Sequence, residues 1–273
     1  MTPLITVVIA CLNHISHLPR AVSSVLDQTF SDIELVIMDG ASSDGTREYL
    51  QSLTDTRVTW RSDKDGGISQ AWNKAVALSR GEWILFLGAD DFVWDKDVFT
   101  RAAPYLTADT PAKLAFAEVQ VVTEHDDHVI RTVWFDRSAL MAQLRSPKGL
   151  GLPHQGFFHR RSAFEKTAFD TSFRIAADYE FISRFSAEAD FLFLPIGPIA
   201  AFRLGGLSSD PWVSILIYRE FSRVHRRLGR PFLHGKWQLT KAYFKNWLRH
   251  LIGTGTTKRL VNMSRAMRKL PPY

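Results

Sequence analysis

Asn13, Asp39, the pair Asp63 and Asp65, and the adjacent pair Asp90–Asp91 each follow a short apolar run early in a chain of 273 residues. Any one of these aspartates could simply cap the helix after it. As a set they point elsewhere: if the runs are strands of one open α/β sheet, their carboxyl ends form the edge where such sheets bind ligands. Two neighbouring carboxylates such as Asp90 and Asp91 repel each other unless a cation or ribose hydroxyls offset them. No G-x-x-x-x-G-K-[ST] occurs, and no G-x-G-x-x-G opens a helix after the first run. A nucleotide diphosphate at this edge would therefore need its charge offset by something other than a Gly-rich loop. A divalent metal ion held by Asp91 is the candidate, because hard cations take carboxylate and phosphate oxygens together.

The hydrophobic pattern supplies the elements that must position these residues. Segments 5–10 (ITVVIA), 34–38 (ELVIM) and 83–87 (WILFL) are continuous apolar runs, the pattern of buried parallel strands, and 58–60 (VTW) is a shorter one. Between them, Leu18, Val22, Val25 and Leu26 recur at helical spacing over 18–26. Ser43-Asp44-Gly45-Thr46 opens a second helix with capping residues, and 68–79 reads as a third. This β-α-β-α-β-α-β order predicts an α/β fold with a right-handed, mainly parallel sheet and helices on both faces. Further on, 114–122 and 128–135 read as a hairpin across the acidic turn Glu124-His125-Asp126-Asp127. Segments 156–159 and 190–194 read as strands and 178–186 as a helix, giving a mixed-sheet second lobe without an obvious linker.

The stretch VVIACLNHISHLPRAVSSVLDQTFSDIELVIMDGASSDGTREYL resembles the N-terminal signature of the family 2 glycosyltransferases, inverting enzymes with the GT-A fold. The block SDKDGGISQAWNKAVALSRGEWILFLGADD resembles its continuation in enzymes that build bacterial surface polysaccharides. The likeness is looser through PHQGFF, AADYEF and FRLGGLS and does not extend into the tail. It implies that Ala10, Leu12 and Asn13 line a nucleoside pocket and that Asp39 hydrogen-bonds the base or ribose. By the same resemblance, Asp65 meets the base edge, Asn73 contributes to the nucleotide-sugar site, Asp90 faces the ribose, and Asp91 binds Mn2+ or Mg2+. The sequence departs from the family's D-x-D form, since Gly88 and Ala89 precede the two acids.

Inverting sugar transfer needs a carboxylate opposite the leaving diphosphate to take the acceptor hydroxyl proton. Asp178 matches the family's base position at a helix start, which favours an ionised carboxylate. Glu180, two residues on, ranks second. His154 and Gln155 at a strand entry are further candidates to touch acceptor or donor, although a lone histidine there is more often structural. Arg203, in a segment that resembles a mobile loop over the donor, could meet a phosphate or simply be exposed beside a turn. The implied donor is a UDP-sugar and the implied acceptor a lipid-linked glycan. No G-x-S-x-G elbow supports serine hydrolase chemistry.

The charge is unevenly distributed. Of 34 Lys and Arg and 28 Asp and Glu, fourteen bases and one acid, Glu220, lie from 211 onward, so the tail carries +13 and the remainder −7. A strongly basic segment points to a polyanionic partner. Segment 236–252 puts Phe244, Trp247, Leu248 and Leu251 on one helical face, and 258–270 does the same with Leu260, Met263, Met267 and Leu270. Basic helices with Trp, Phe and Leu have the pattern of interfacial membrane binders, unless these apolar faces pack on the body instead. The expected organisation is a glycosyltransferase domain over 1–210, with a nucleotide-sugar half (1–105) and an acceptor half (106–210), and a basic helical region over 211–273. The single cysteine, Cys11, and the lack of a signal-like start or a long apolar run lead us to expect a cytoplasmic enzyme, peripheral on the inner face of the membrane. Two alternatives are less well supported. A nucleotidyltransferase of related fold should show a Gly-rich basic loop after the first strand, and a nucleic-acid binder should show a recognition motif, so no nucleic-acid partner is expected.

Overall fold

A computed structural model describes residues 2–107, 109–145, 151, 153–205 and 213–229, with scattered positions between 237 and 263. The chain divides into two compact units, Met1–Leu204 and Gly205–Tyr273.

The first unit opens as the pattern predicts: β1 (Ile5–Cys11), α1 (Leu18–Leu26), β2 (Ile33–Asp39), α2 (Thr46–Ser52), β3 (Val58–Ser62), α3 (Ile68–Leu78) and β4 (Trp83–Gly88). The strands lie in the order β3-β2-β1-β4, all parallel, so their carboxyl ends share one edge. Strand order reverses between β1, which pairs with β2 on one side, and β4 on the other. That is the switch point at which such sheets open a crevice. Each strand runs one or two residues further toward this edge than its apolar run, because the ladder continues through Cys11, Asp39, Ser62 and Gly88.

The rest of the unit completes the sheet with β5 (Phe92–Val93), α4 (Val98–Leu106), β6 (Leu114–Val122), β7 (Val129–Val133), α5 (Arg137–Arg145), β8 (Phe157–Arg160), α6 (Ala177–Ser183) and β9 (Phe191–Arg203). The order continues β4-β8-β6-β9-β5, with β7 paired to β6 as the acidic-turn hairpin. β8 runs antiparallel to β4 and β6, and β9 runs parallel to β6, so the sheet is mixed. Strand β9 is longer than the apolar run 190–194 suggests. Its register with β6 breaks between Phe193 and Pro198, residues 194–197 bulge around Gly197 (φ 77°), and pairing resumes through Arg203. The two prolines and the glycine end the apolar pattern without ending the strand. Two-residue β5 pairs Phe92 with Ala201, and this short antiparallel contact brings the residue before it, Asp91, beside Arg203.

Packing holds this frame rigid. Phe86, Phe99, Phe116, Phe157, Phe158, Phe173, Phe181 and Trp83 are almost fully buried, and burial of a side chain of this size stabilises by about 1.5–3 kcal/mol. Glu34, buried in β2, accepts from Thr6 Oγ1 (2.6 Å), Arg80 N (2.5 Å) and Gly81 N (3.2 Å), which closes the turn into β4 at the amino edge. In the second unit, α7 (Ser214–Arg227) is followed by helical positions at 237, 240–244, 247 and 251, and again at 256, 259, 260, 262 and 263. The remaining residues of the predicted segments 236–252 and 258–270, Leu248, Met267 and Leu270 among them, lie outside the described residues. Among the described residues, no helix is long and apolar enough to cross a membrane.

Candidate active site

The loops after β1 and β2 are stitched together. Asn13, at φ 56°, donates its main-chain N–H to Ser42 Oγ (2.7 Å) and accepts from Ser43 N at its side-chain oxygen (2.8 Å). Asparagine tolerates this left-handed conformation better than most residues. Asp44 accepts from Ile15 N (3.0 Å) and Thr46 Oγ1 (2.6 Å), and these bonds hold its carboxyl below the usual range. Asp39 lies within the stitch rather than on its surface: it is buried, and it accepts from Ser42 N and Oγ and from Ser62 Oγ (2.6 Å). With both carboxylate oxygens occupied, Asp39 orders the loops that would flank a nucleoside. Burial, reinforced by Asp39, pushes the Cys11 thiol far up, so it is inert as a nucleophile. Leu12 is exposed at this edge, Ala10 sits between Met38 and Gly88 in the ladder, and Asp65 accepts from Gly67 N (2.9 Å) at the entry to α3.

Asp90 and Asp91 close over Gly88. A Cβ at Gly88 would clash with Asp91 Oδ2 and lie 3.0 Å from Asp90 Oδ1, so only glycine leaves room for both carboxylates. Asp91 is buried, with Oδ1 accepting from Arg203 N (2.8 Å) and Oδ2 from the Gln155 side-chain amide. Burial and, next, the Asp90 charge push the Asp91 carboxyl well above the ordinary range. Both Asp91 oxygens already accept one hydrogen bond, so a divalent cation would use their second lone pairs, with Asp90 beside it as a further oxygen donor, and would lower the raised pKa. Among the described residues no cluster of three or more His, Cys, Asp or Glu forms. The protein would thus supply one or two carboxylates and leave the other positions to phosphate and water, the usual arrangement for Mg2+ in nucleotide sites.

The remaining candidates are fixed by contacts between α3 and the second lobe, or lie in that lobe. Asn73 is engaged at both ends of its amide by the backbone of Phe169 (2.9 Å each way), and Ser69 Oγ donates to the Phe173 carbonyl (3.3 Å). The expected donor contact of Asn73 is therefore replaced by a clamp. Ser69 lies in the first turn of α3, at the carboxylate edge, and its bond to Phe173 draws in the chain that leads to Asp178 five residues later. Asp178 occupies the first turn of α6, half-buried, with Oδ1 accepting from Tyr179 N (2.7 Å). Glu180 is committed to Arg184 through two bonds of 3.1 and 2.5 Å.

Two further candidates take buried places. His154 does not face a cleft. It is buried, stacked on Phe86 (5.0 Å between centroids, 14° between planes), edge-on to Trp72, and paired with His159 at 3.3 Å between their Nε2 atoms. Burial pushes its pKa well down and that of His159 to about 3, so both rings are neutral and neither presents a cation to phosphate. Arg203 ends β9 instead of riding on a loop, and its buried guanidinium bonds the Asp90 carbonyl (2.8 Å) and pairs with Asp127 (2.6 Å). Residues 206–208 of the expected loop lie outside the described residues. Sequence reasoning missed Ser42 and Ser62 as holders of Asp39. Ser42 adjoins the segment read only as a helix cap, and Ser62 follows a strand read three residues long.

The sequence profile of glycosyl transferase family 2 matches residues 6–168. A PGL/p-HBAD biosynthesis glycosyltransferase of Mycobacterium bovis is 30% identical over 184 residues, covering 66% of this chain and 68% of that protein. Among solved structures, S. aureus TarS 1–349 with UDP-GlcNAc superposes with a TM-score of 0.60 at 15% identity, over 88% of this chain and 71% of that one. The mannosyltransferase PcManGT from Pyrobaculum calidifontis, with GDP-Man and Mn2+, superposes with a TM-score of 0.62 at 17% identity, over 98% of this chain and 81% of that one. The curled, mostly parallel sheet flanked by helices is the GT-A fold of these neighbours.

Proposed function

The chain belongs to glycosyl transferase family 2, and on that footing we propose that it moves a sugar, with inversion, from a UDP-sugar to a hydroxyl of a lipid-linked glycan in surface polysaccharide synthesis. The observation that carries this reading is the pair Asp90–Asp91, converging over Gly88 at the sheet's switch point with Asp91 gripped by Arg203 and Gln155. Leu12, Asn13 and Asp65 flank the nucleoside, with Asp39 keeping their loops in place. Asp90 faces the ribose. Asp91, with Asp90 beside it, would hold Mn2+ or Mg2+, which when bound supplies positive charge against the departing diphosphate. Asp178 accepts the proton of the acceptor hydroxyl as its oxygen bonds to the anomeric carbon and the bond to the diphosphate breaks. The nucleotide-sugar complexes of TarS and PcManGT support a nucleoside-diphosphate donor, and the Mn2+ of PcManGT supports the metal.

The acceptor class and location rest on the tail. Its charge of +13, with Trp237, Phe244, Trp247 and Leu251 exposed, suits a helix lying in an anionic membrane surface, which would bring a cytoplasmic enzyme to lipid-linked acceptors. The reading is tested by titrating UDP- and GDP-sugars into the protein with Mn2+ and by following the anomeric proton of the product by NMR. UDP-sugar binding and an anomeric configuration opposite to the donor's are expected. Preference for a GDP-sugar would correct the donor, and retained configuration would overturn the mechanism.

A further inference from the structure

The hairpin turn between β6 and β7 reaches the Asp90–Asp91 turn through one buried side chain. Arg203 is 5% exposed, and its donors point in two directions. Toward the site, its main-chain N–H bonds Asp91 Oδ1 and its Nε bonds the Asp90 carbonyl, each at 2.8 Å. Toward the hairpin, Nη1 bonds the Glu124 carbonyl at 2.8 Å and Nη2 pairs with Asp127 Oδ1 at 2.6 Å. The other oxygen of Asp127 pairs with Arg20 of α1, whose guanidinium lies 3.9 Å from the centre of the Phe92 ring, directly after Asp91.

A buried guanidinium is stable only with a counter-charge, and its planar fork fixes several partners at set angles, which an ammonium cannot do. Removing Asp127 leaves Arg203 buried without that counter-charge. The side chain must then turn to solvent or toward the nearby carboxylates, and either move takes its donor from the Asp90 carbonyl. We propose that Arg203 and Asp127 are positioning residues for the donor site: the acidic hairpin turn, acting through Arg203, fixes the Asp90–Asp91 turn in the arrangement that takes cation and diphosphate together. The proposal rests on the donor-site reading above, and it gives the turn a role in that site.

The test uses the full chain and titration calorimetry of UDP with Mn2+ and, separately, with EDTA. Asp127 sits at φ 55°, so Asp127→Gly removes the carboxylate without adding backbone strain. Arg203→Lys keeps the charge and loses the fork, and it provides the reading should the glycine variant fold poorly. Each is expected to weaken Mn2+-supported UDP binding by about 10–100-fold, the usual cost of losing a group that orients a metal ligand. Binding in EDTA should change little, whereas simple unfolding would lower both alike. The double variant should be no weaker than the worse single one, because the two residues act as one unit. Folded variants that bind within twofold of wild type in Mn2+ would overturn the proposal alone. A wild-type protein that binds no UDP in Mn2+ would remove the donor-site reading and the proposal with it.

Discussion

At the scale of single residues, the site depends on which carboxylates are committed and which face the reaction. Glu180 is spent on Arg184, so Glu180→Gln should lower stability more than turnover. Asp178→Asn should leave donor affinity unchanged and reduce transfer by ~10²–10⁴-fold, the range for loss of a general base. A crippled Glu180→Gln with an active Asp178→Asn would reverse the assignment. Gly88 gives a second prediction, because a methyl group there collides with the Asp91 carboxylate. Gly88→Ala should weaken metal-dependent UDP binding by about 10–100-fold with a small change in melting temperature, and unaltered binding would mean that the carboxylates need not converge. The acids themselves were legible as strand-end residues. Gln155 and Arg203 stood out too, but as groups for acceptor or donor; their bonds to Asp91 were not legible, since the two residues arrive from 64 and 112 positions away along the chain and no local pattern announces such partners.

At the scale of elements, the first half was read almost completely because its strands are continuous apolar runs separated by clean helical periodicity. The second half was harder. Strand β5 has two residues, and β9 continues through Pro195, Gly197 and Pro198, where tertiary pairing with β6 overrides the local breakers. The entry to β8 carries the histidine pair, whose burial has a thermodynamic consequence. An exposed imidazole takes a proton near pH 6.5, whereas His159 in the folded chain does so only near 3 and His154 is likewise depressed. As pH falls from about 6.5 toward 3, the unfolded chain binds protons that the folded one refuses, so stability falls. Glu34, held below its usual range by Thr6, Arg80 and Gly81 against the opposing effect of burial, adds its own loss at lower pH. The raised Asp91 carboxyl takes up a proton in the folded chain over the same range and offsets part of this loss, so urea unfolding at pH 7.5 and pH 5 should show a smaller drop for His159→Phe than for wild type. An equal drop in both would place the acid sensitivity elsewhere. At the amino edge, a Cβ on Gly81 would lie 2.6 Å from the Thr6 main-chain nitrogen, so Gly81→Ala should cost about 1–3 kcal/mol of stability, and a neutral effect in urea unfolding would contradict that packing.

At the scale of the whole molecule, the chain joins a GT-A body of −7 to a tail of +13. Each base near an anionic leaflet could add ~1 kcal/mol before screening, while the exposed Trp247 and Leu251 would add a part that salt does not remove. Sedimentation with anionic liposomes should therefore weaken in high salt without vanishing, and truncation after Gly253 should reduce it further. Equal pelleting of full-length and truncated protein would mean that the last basic segment does not lie on lipid. The chemistry of the body is read from release of free nucleoside diphosphate from a panel of nucleotide sugars, by wild type and by Asp91→Asn, with Mn2+ or with EDTA. Wild type should release it from a UDP-sugar in Mn2+ and not in EDTA, and Asp91→Asn should release none in either condition. Release that survives both the chelator and the substitution would mean that Asp91 holds no metal ion needed for transfer.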